Sequence, residues 1–233
     1  MNALSIGKII SESERKLKIK LIGDSITHGQ GGTGFSCDGE QFFLTVRRNP
    51  NGYCWANLFK EHLEKKYSCE VINNGICGNC AAHFLINFNA QVDADDDVVF
   101  CMLGTNDRSQ RRDAKELHAS EEHLNIYSNN VDKICEFFHN KGIDNVVLMS
   151  CIPAIEDCET PDSIRHFKAC DIDTVVRDAA EKYGFPFISM YTLVCDWCEK
   201  NKAEWSSFLV DRVHPNDAGY KVMFDLIIKE LGL

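Results

Sequence analysis

The chain is predicted to be α/β, a doubly wound parallel sheet of about five strands. Two observations predict this: apolar runs of strand length alternate with longer amphipathic runs, and the strand-length runs end in polar turns rich in Gly and Asn. Strands separated by helices of this length fit parallel βαβ units, whose sheet is covered on both faces. At 233 residues one core suffices, and no internal repeat or low-complexity linker divides the chain.

Leu17 to Ile22, LKIKLI, mixes β-branched and apolar residues and stops at GDS, as a strand ending in a turn does. From Gly29 to Gly52 runs an inserted glycine-rich polar stretch, too long for an ordinary connection and of the kind that carries function. Tyr53 to Lys66 sets Trp55, Leu58, Phe59 and Leu63 at helical spacing, and CEVINN follows as a second strand. DVVFCML is a buried strand, Leu117 to Asn140 an amphipathic helix, NVVLMSCI a strand, and Ile164 to Tyr183 a helix. FPFIS and a closing helix from Asn216 complete the series. Residues 1 to 16 read as a helical or loose extension ahead of a single domain over 17 to 233.

Lys and Arg total 25 against 35 Asp and Glu, and the formal charge of -10 opposes binding to nucleic acid or anionic membranes. A basic-then-apolar leader and a run of eighteen apolar residues are both missing, so the expectation is a cytoplasmic protein not inserted in a membrane. Of the 12 cysteines several lie in apolar runs, Cys101 and Cys151 among them, where a thiol packs as a small hydrophobe. Cys77/Cys80 and Cys195/Cys198 are C-x-x-C pairs, but their separation is far longer than compact zinc modules use, and no metal is expected.

In an open parallel sheet, reactive groups gather beyond the carboxyl ends of the strands. GDSIT (Gly23 to Thr27), NNGICGN (Asn73 to Asn79) and GTND (Gly104 to Asp107) follow the first three strands, and DRVHP (Asp211 to Pro215) precedes the last helix. A serine hydroxyl must surrender its proton to a base as it attacks, and an imidazole, titrating near about 6.5, can take that proton and return it. Ser25 is therefore the candidate nucleophile and His214 its base, with Asp211, three residues earlier, to orient the ring. The tetrahedral intermediate then needs donors for its oxyanion, for which the Ser25 N–H, the Gly78 N–H and the Asn106 carboxamide are available. Asp24, Gly31, Gly32, Thr105 and Arg108 are candidates for contacting substrate around them. The histidine manages the protons and the amides the charge, so no cofactor is required.

With Gly-Asp-Ser after strand one, Gly-Thr-Asn-Asp after strand three and Asp-x-x-His-Pro near the C-terminus, the chain resembles the SGNH (GDSL-like) hydrolase family. The resemblance spans nearly the whole chain and implies a three-layer α/β/α, flavodoxin-like fold. It implies Ser25 as nucleophile, Asp211 and His214 completing a triad, and Gly78 and Asn106 as oxyanion donors. Gly75 is a rival for Gly78, whose offset from Asn73 suits the family pattern better. The Gly29–Gly52 insertion departs from the smallest members and is expected to shape the pocket.

Each motif also has an ordinary reading. Ser25 could be a helix N-cap, Asn106 and Asp107 could cap a helix, Gly78 could permit a turn, and His214 could precede a Pro-initiated helix. It is their joint occurrence, in order and at strand ends, that favours chemistry. Asp24 reads as structural, holding the turn. Gly29, Gly31 and Gly34 spell G-x-G-x-x-G, but GDSIT intervenes after the strand and no helix pattern follows, so a dinucleotide site is rejected for a flexible glycine loop over the site. His118 and His123 read as solvent-facing, and Arg108, Arg111 and Arg112 as a solvated charge run with anion recognition as the alternative. Trp55, Trp197 and Trp205 are core or sugar-stacking residues.

The expected function is a serine ester hydrolase acting through an acyl-enzyme on a small-molecule ester, an O-acetylesterase on a carbohydrate or small polar ester being the leading reading. The alternatives are a lysophospholipase or acyl-thioesterase and, more remotely, a non-catalytic binding module on the same fold.

Overall fold

The computed structural model describes residues 2–35, 52–108, 120–154 and 166–233. In chain order the elements are α1 (Ala3–Glu12), β1 (Leu17–Gly23), α2 (Ser25–His28), α3 (Trp55–Lys66), β2 (Cys69–Gly75), α4 (Ala81–Ile86) and α5 (Phe88–Gln91). They continue with β3 (Val98–Met102), α6 (Ser120–Lys141), β4 (Val146–Met149), α7 (Ala169–Tyr183), β5 (Phe187–Ile188), α8 (Met190–Asn201), a 3-10 turn (Trp205–Phe208) and α9 (Asp217–Leu231). The five strands pair in parallel in the order β2-β1-β3-β4-β5.

Period-two alternation explains how one sheet serves two cores. Along β3, Val98, Phe100 and Met102 face one layer while Val99 and Cys101 face the other, and all five are buried. The first layer packs α1, α3, α8 and α9 around Ile6, Trp55, Phe59, Val194 and Tyr220. The second packs α4 to α7 around Phe84, Phe88, Tyr127, Phe138 and Ile172. The result is three layers, α/β/α. Cys54, Cys135 and Cys151 fill these cores as thiols, and burial pushes them up to about 11, 12 and 12, which keeps them protonated.

Residues 3–12 form a docked helix. Asn2 caps it by accepting the Ser5 N–H at 3.0 Å, and Ile6 and Ile10 are fully buried against the core. One boundary and three helices differ from expectation. α7 begins at Ala169 because the Asp171 carboxylate accepts the Lys168 N–H at 2.7 Å and ends the chain's approach there; residues 164 and 165 lie outside the described residues. α8 was not anticipated, since β5 is only two residues long and Ser189, capping the Thr192 N–H, starts a helix at once. The short helices α4 and α5 follow β2 with too few turns to display a period.

Trp55 and Trp205 are core residues at 0% and 4% exposure, the latter donating its indole N–H to the Pro153 carbonyl at 3.0 Å. Trp197 packs half-buried edge-on against Phe208, so the core reading holds for all three. No helix among the described residues is long and apolar enough to cross a membrane.

The docking of α1 leaves no room at Gly7, where a Cβ would come within 1.8 Å of the Leu231 carbonyl oxygen. Gly7→Ala is expected to cost about 1–3 kcal/mol in denaturant unfolding, as overpacking against backbone does.

Candidate active site

The sheet order sets the site. After β1 the chain adds β2 on one side and β3 on the other, so the loops leaving β1 and β3 diverge and open a crevice at their carboxyl ends. Gly23, Gly75 and Met102 stand level in the register, which brings the turns after the three strands to one rim.

Ser25 is the first residue of α2. Asp24 occupies the N-cap in an extended conformation, and its Oδ1 accepts the Ile26 N–H at 2.9 Å. The Ser25 N–H, being at a helix start, has no intrahelical acceptor and remains available. Asp24 is fully buried; burial pushes its carboxyl up, opposed by the Ile26 N–H, by His214 and by the neighbouring Thr105 hydroxyl. The expected structural role of Asp24 in the turn agrees with this cap.

His214 and Asp211 arrive on a loop pinched at its base by the Leu209–Pro215 bridge and by the Val210 N–H, which donates to the His214 carbonyl at 2.9 Å. The Ser25 hydroxyl lies 2.8 Å from His214 Nε2, and His214 Nδ1 lies 2.7 Å from Asp211 Oδ2. The second Asp211 oxygen accepts the N–H groups of Val213 and His214, both at 2.8 Å. Partial burial raises the Asp211 carboxyl, but these three hydrogen bonds and the charge interaction with His214 together hold it below its usual range. It is therefore ionised and can only accept, so Nδ1 carries the proton and the Nε2 lone pair faces the serine.

The donors expected for an oxyanion lie on the second and third turns. Gly78 has φ 76, and its N–H finds no acceptor among the described residues. The rival Gly75 lies inside β2 with its N–H donated to Asn73 Oδ1 at 2.9 Å. Asn106 spends one amide hydrogen on the Asn79 carbonyl at 2.8 Å, which orients the carboxamide and leaves the other hydrogen to give.

The residues around this set sort differently. Gly31, at φ 100, runs directly beneath the histidine loop: a Cβ there would meet the Pro215 oxygen at 2.5 Å and His214 Cβ at 3.1 Å. Gly32 lies equally close to Tyr53, and Tyr220 and Asp217 of α9 bind the Gln30 carbonyl and the Thr33 N–H at 2.6 and 2.7 Å. The described part of the glycine stretch is thus bonded in place, in contrast to the flexible loop expected; residues 36–51 of the insertion lie outside the described residues. Thr105 is buried against Asp24.

Two surface readings are corrected. Arg108 is fully buried rather than solvated, and its carbonyl accepts the His166 N–H at 2.9 Å; Arg111 and Arg112 lie outside the described residues. His123 stacks on His166 at 3.4 Å between ring centroids instead of facing solvent, and His118 lies outside the described residues. Two residues of the motifs make cross-strand contacts that the sequence does not assign them. Asn79 donates to the Gly23 carbonyl at 3.2 Å, and Asp107 accepts the Ala81 N–H at 3.0 and 3.2 Å. Only the G-N and N-D spellings of their motifs hint at them.

Among the described residues the group able to hold a metal is Asp93, Asp95 and Asp96, and Lys18 and Lys20 already pair with it at the opposite end of β1. The C-x-x-C pairs do not assemble there into a four-cysteine site.

A 2-1-3-4-5 parallel sheet flanked by helices, with these four motifs on one rim, is the fold of the SGNH-type hydrolases. The chain belongs to the GDSL-like lipase/acylhydrolase family, whose model matches residues 21–222. Its fold is similar to that of an acetylxylan esterase from Geobacillus stearothermophilus, at 22% identity and a TM-score of 0.71 over 94% of this chain and 95% of that one. It is also similar to LAE5, an alpha/beta hydrolase enzyme from the metagenome of Lake Arreo, Spain, at 21% identity and a TM-score of 0.72 over 95% and 98%. Catalytic mutants of the Geobacillus enzyme replace a serine, an aspartate and a histidine, the last two three positions apart. Among curated proteins none matches.

Gly31→Ala tests the seat of the histidine. The added methyl is expected to displace His214 and slow labelling of Ser25 by a fluorophosphonate by about 10²-fold, the usual consequence of misplacing a catalytic group by about 1 Å.

Proposed function

We propose that this protein is a serine ester hydrolase that works through an acyl-enzyme, with Ser25 as nucleophile, His214 as general base and acid, and Asp211 as the group that orients and charges the ring. The observation that carries the reading is the unbroken contact from Ser25 Oγ to His214 Nε2 at 2.8 Å and from Nδ1 to Asp211 at 2.7 Å. As Ser25 Oγ bonds to the ester carbonyl carbon, its proton passes to Nε2, and the imidazolium formed is stabilised by Asp211. The carbonyl oxygen becomes an oxyanion that takes hydrogen bonds from the Ser25 N–H, the Gly78 N–H and Asn106 Nδ2. Collapse breaks the ester C–O bond, and Nε2 returns the proton to the leaving alcohol. Water then repeats the attack on the acyl-enzyme, its proton going to Nε2 and on to Ser25 as the acid leaves.

For the substrate we propose a small acyl ester, acetate on a carbohydrate above all. Support comes from the activity of the acetylxylan esterase whose fold this chain shares, together with the formal charge of -10, which suits a neutral polar ester better than an anionic lipid surface.

Ser25→Ala is expected to abolish the burst of p-nitrophenol from p-nitrophenyl acetate, and Asn106→Ala to lower kcat by about 10²–10³, the range for one oxyanion donor. Loss of neither would overturn the mechanism, and ligand binding without turnover would leave a binding module. Across a series of acyl lengths, rates should fall from acetyl upward; a rise toward long chains would instead make the enzyme a lysophospholipase or thioesterase.

A further inference from the structure

The three turns of the site are held in register by a small set of buried polar contacts, and one of them involves an acid with no part in the chemistry. Asn106 and Asp107, consecutive on the turn after β3, grip the loop after β2 at two nearby points. Asn106 donates to the Asn79 carbonyl at 2.8 Å, and the Asp107 carboxylate accepts the Ala81 N–H with both oxygens, at 3.0 and 3.2 Å. Ala81 opens α4, whose N-cap Cys80 makes no side-chain cap bond, so Asp107 supplies from another strand the cap that the helix lacks locally. Gly78 lies between β2 and that helix, so the carboxylate holds the segment carrying one oxyanion donor to the turn carrying another.

We propose that Asp107 is a positioning residue for the oxyanion site, clamping the Gly78 loop to the Asn106 turn with both oxygens in its ionised form and loosening that hold on protonation, when one oxygen becomes an O–H and no longer accepts. The inference rests on the esterase reading above. Burial is the main influence on the carboxyl, raising it to about 7; the Ala81 N–H opposes this and buried Asp24 adds to it. The other titratable groups that interact with it among the described residues are Tyr127 of α6 and Cys151 beyond β4, both of them raised by burial. Neither compensates the carboxylate. The charged clamp consequently costs stability: the folded chain holds the proton up to about pH 7, the unfolded chain releases it near pH 4, and stability falls across that window as pH rises.

This cost separates positioning from a structural role. Asp107→Asn mimics the protonated acid: it keeps one accepting oxygen for Ala81 but lacks the charge and the second accepting oxygen of the ionised clamp. At pH 8 it is expected to lower kcat for p-nitrophenyl acetate roughly tenfold with KM little changed, while its Tm stays level or rises. Near pH 6, where wild-type Asp107 is itself protonated, the ratio of wild-type to variant kcat should shrink toward one. Ala81→Pro deletes the donor instead: Cys80 already holds φ -137 and ψ 171, which suits the residue before a proline, and the first helical position tolerates one. It should reproduce the kcat loss, and combining it with Asp107→Asn should add nothing.

A ratio constant between pH 6 and 9, a variant as active as wild type, or kcat and Tm falling together would overturn the clamp. Failure of the parent reading looks different, since wild type would then be inactive, or Ser25→Ala would retain the burst.

Discussion

A carboxylate has no proton to give, and the site depends on that fact. Asp211, kept ionised by the hydrogen bonds it accepts, fixes the tautomer of His214 and so decides which nitrogen faces Ser25. The surroundings hold this one ring in place. The bridge from Leu209 to Pro215 closes the loop, Gly31 provides space beneath it, and Tyr220 and Asp217 fasten the glycine stretch that supplies the space. Removing side-chain bulk at residue 31 is as much a requirement of the histidine's position as anything the histidine itself bonds to.

The sheet solves a different problem, that of bringing remote segments to one edge. Placing β1 between β2 and β3 makes the Ser25 turn the neighbour of the turns that carry Gly78 and Asn106, and the buried amide of Asn79 reaches the Gly23 carbonyl to lock two of them together. Burial on both faces allows little sliding between strands, because a shift of register would move apolar side chains out of both cores at once. Rigidity at the rim therefore derives from hydrophobic packing many residues away.

How much of this could be read from the chain alone depended on whether the signal was local. β1 to β4, α3, α6 and α9 announce themselves by apolar runs or periodicity, and Ser25, Asn106, Asp211 and His214 stand in motifs at strand ends or ahead of the last helix. α8 and the short α4 and α5 were hidden, because a two-residue strand and helices of one or two turns leave no period to detect. Arg108 and His123 were misjudged as surface residues because charge alone carries no information about whether a turn folds inward. Asp107 was visible as a capping residue, yet the helix it caps belongs to a different strand's connection, a pairing that exists only in three dimensions.

The arrangement of His214 and Asp211 on one loop of a few residues has a further meaning. Base and carboxylate ride together, tied both through their side chains and through the backbone N–H that Asp211 accepts from His214, so displacement of the loop changes the gap to the serine while leaving the pair intact. A proton accepted by the ring keeps its counter-charge wherever the loop goes, even though half of the Asp211 side chain is open to water. Because both groups ride on one loop, an imidazolium is not stranded without its counter-charge as it could be were they on two independent segments.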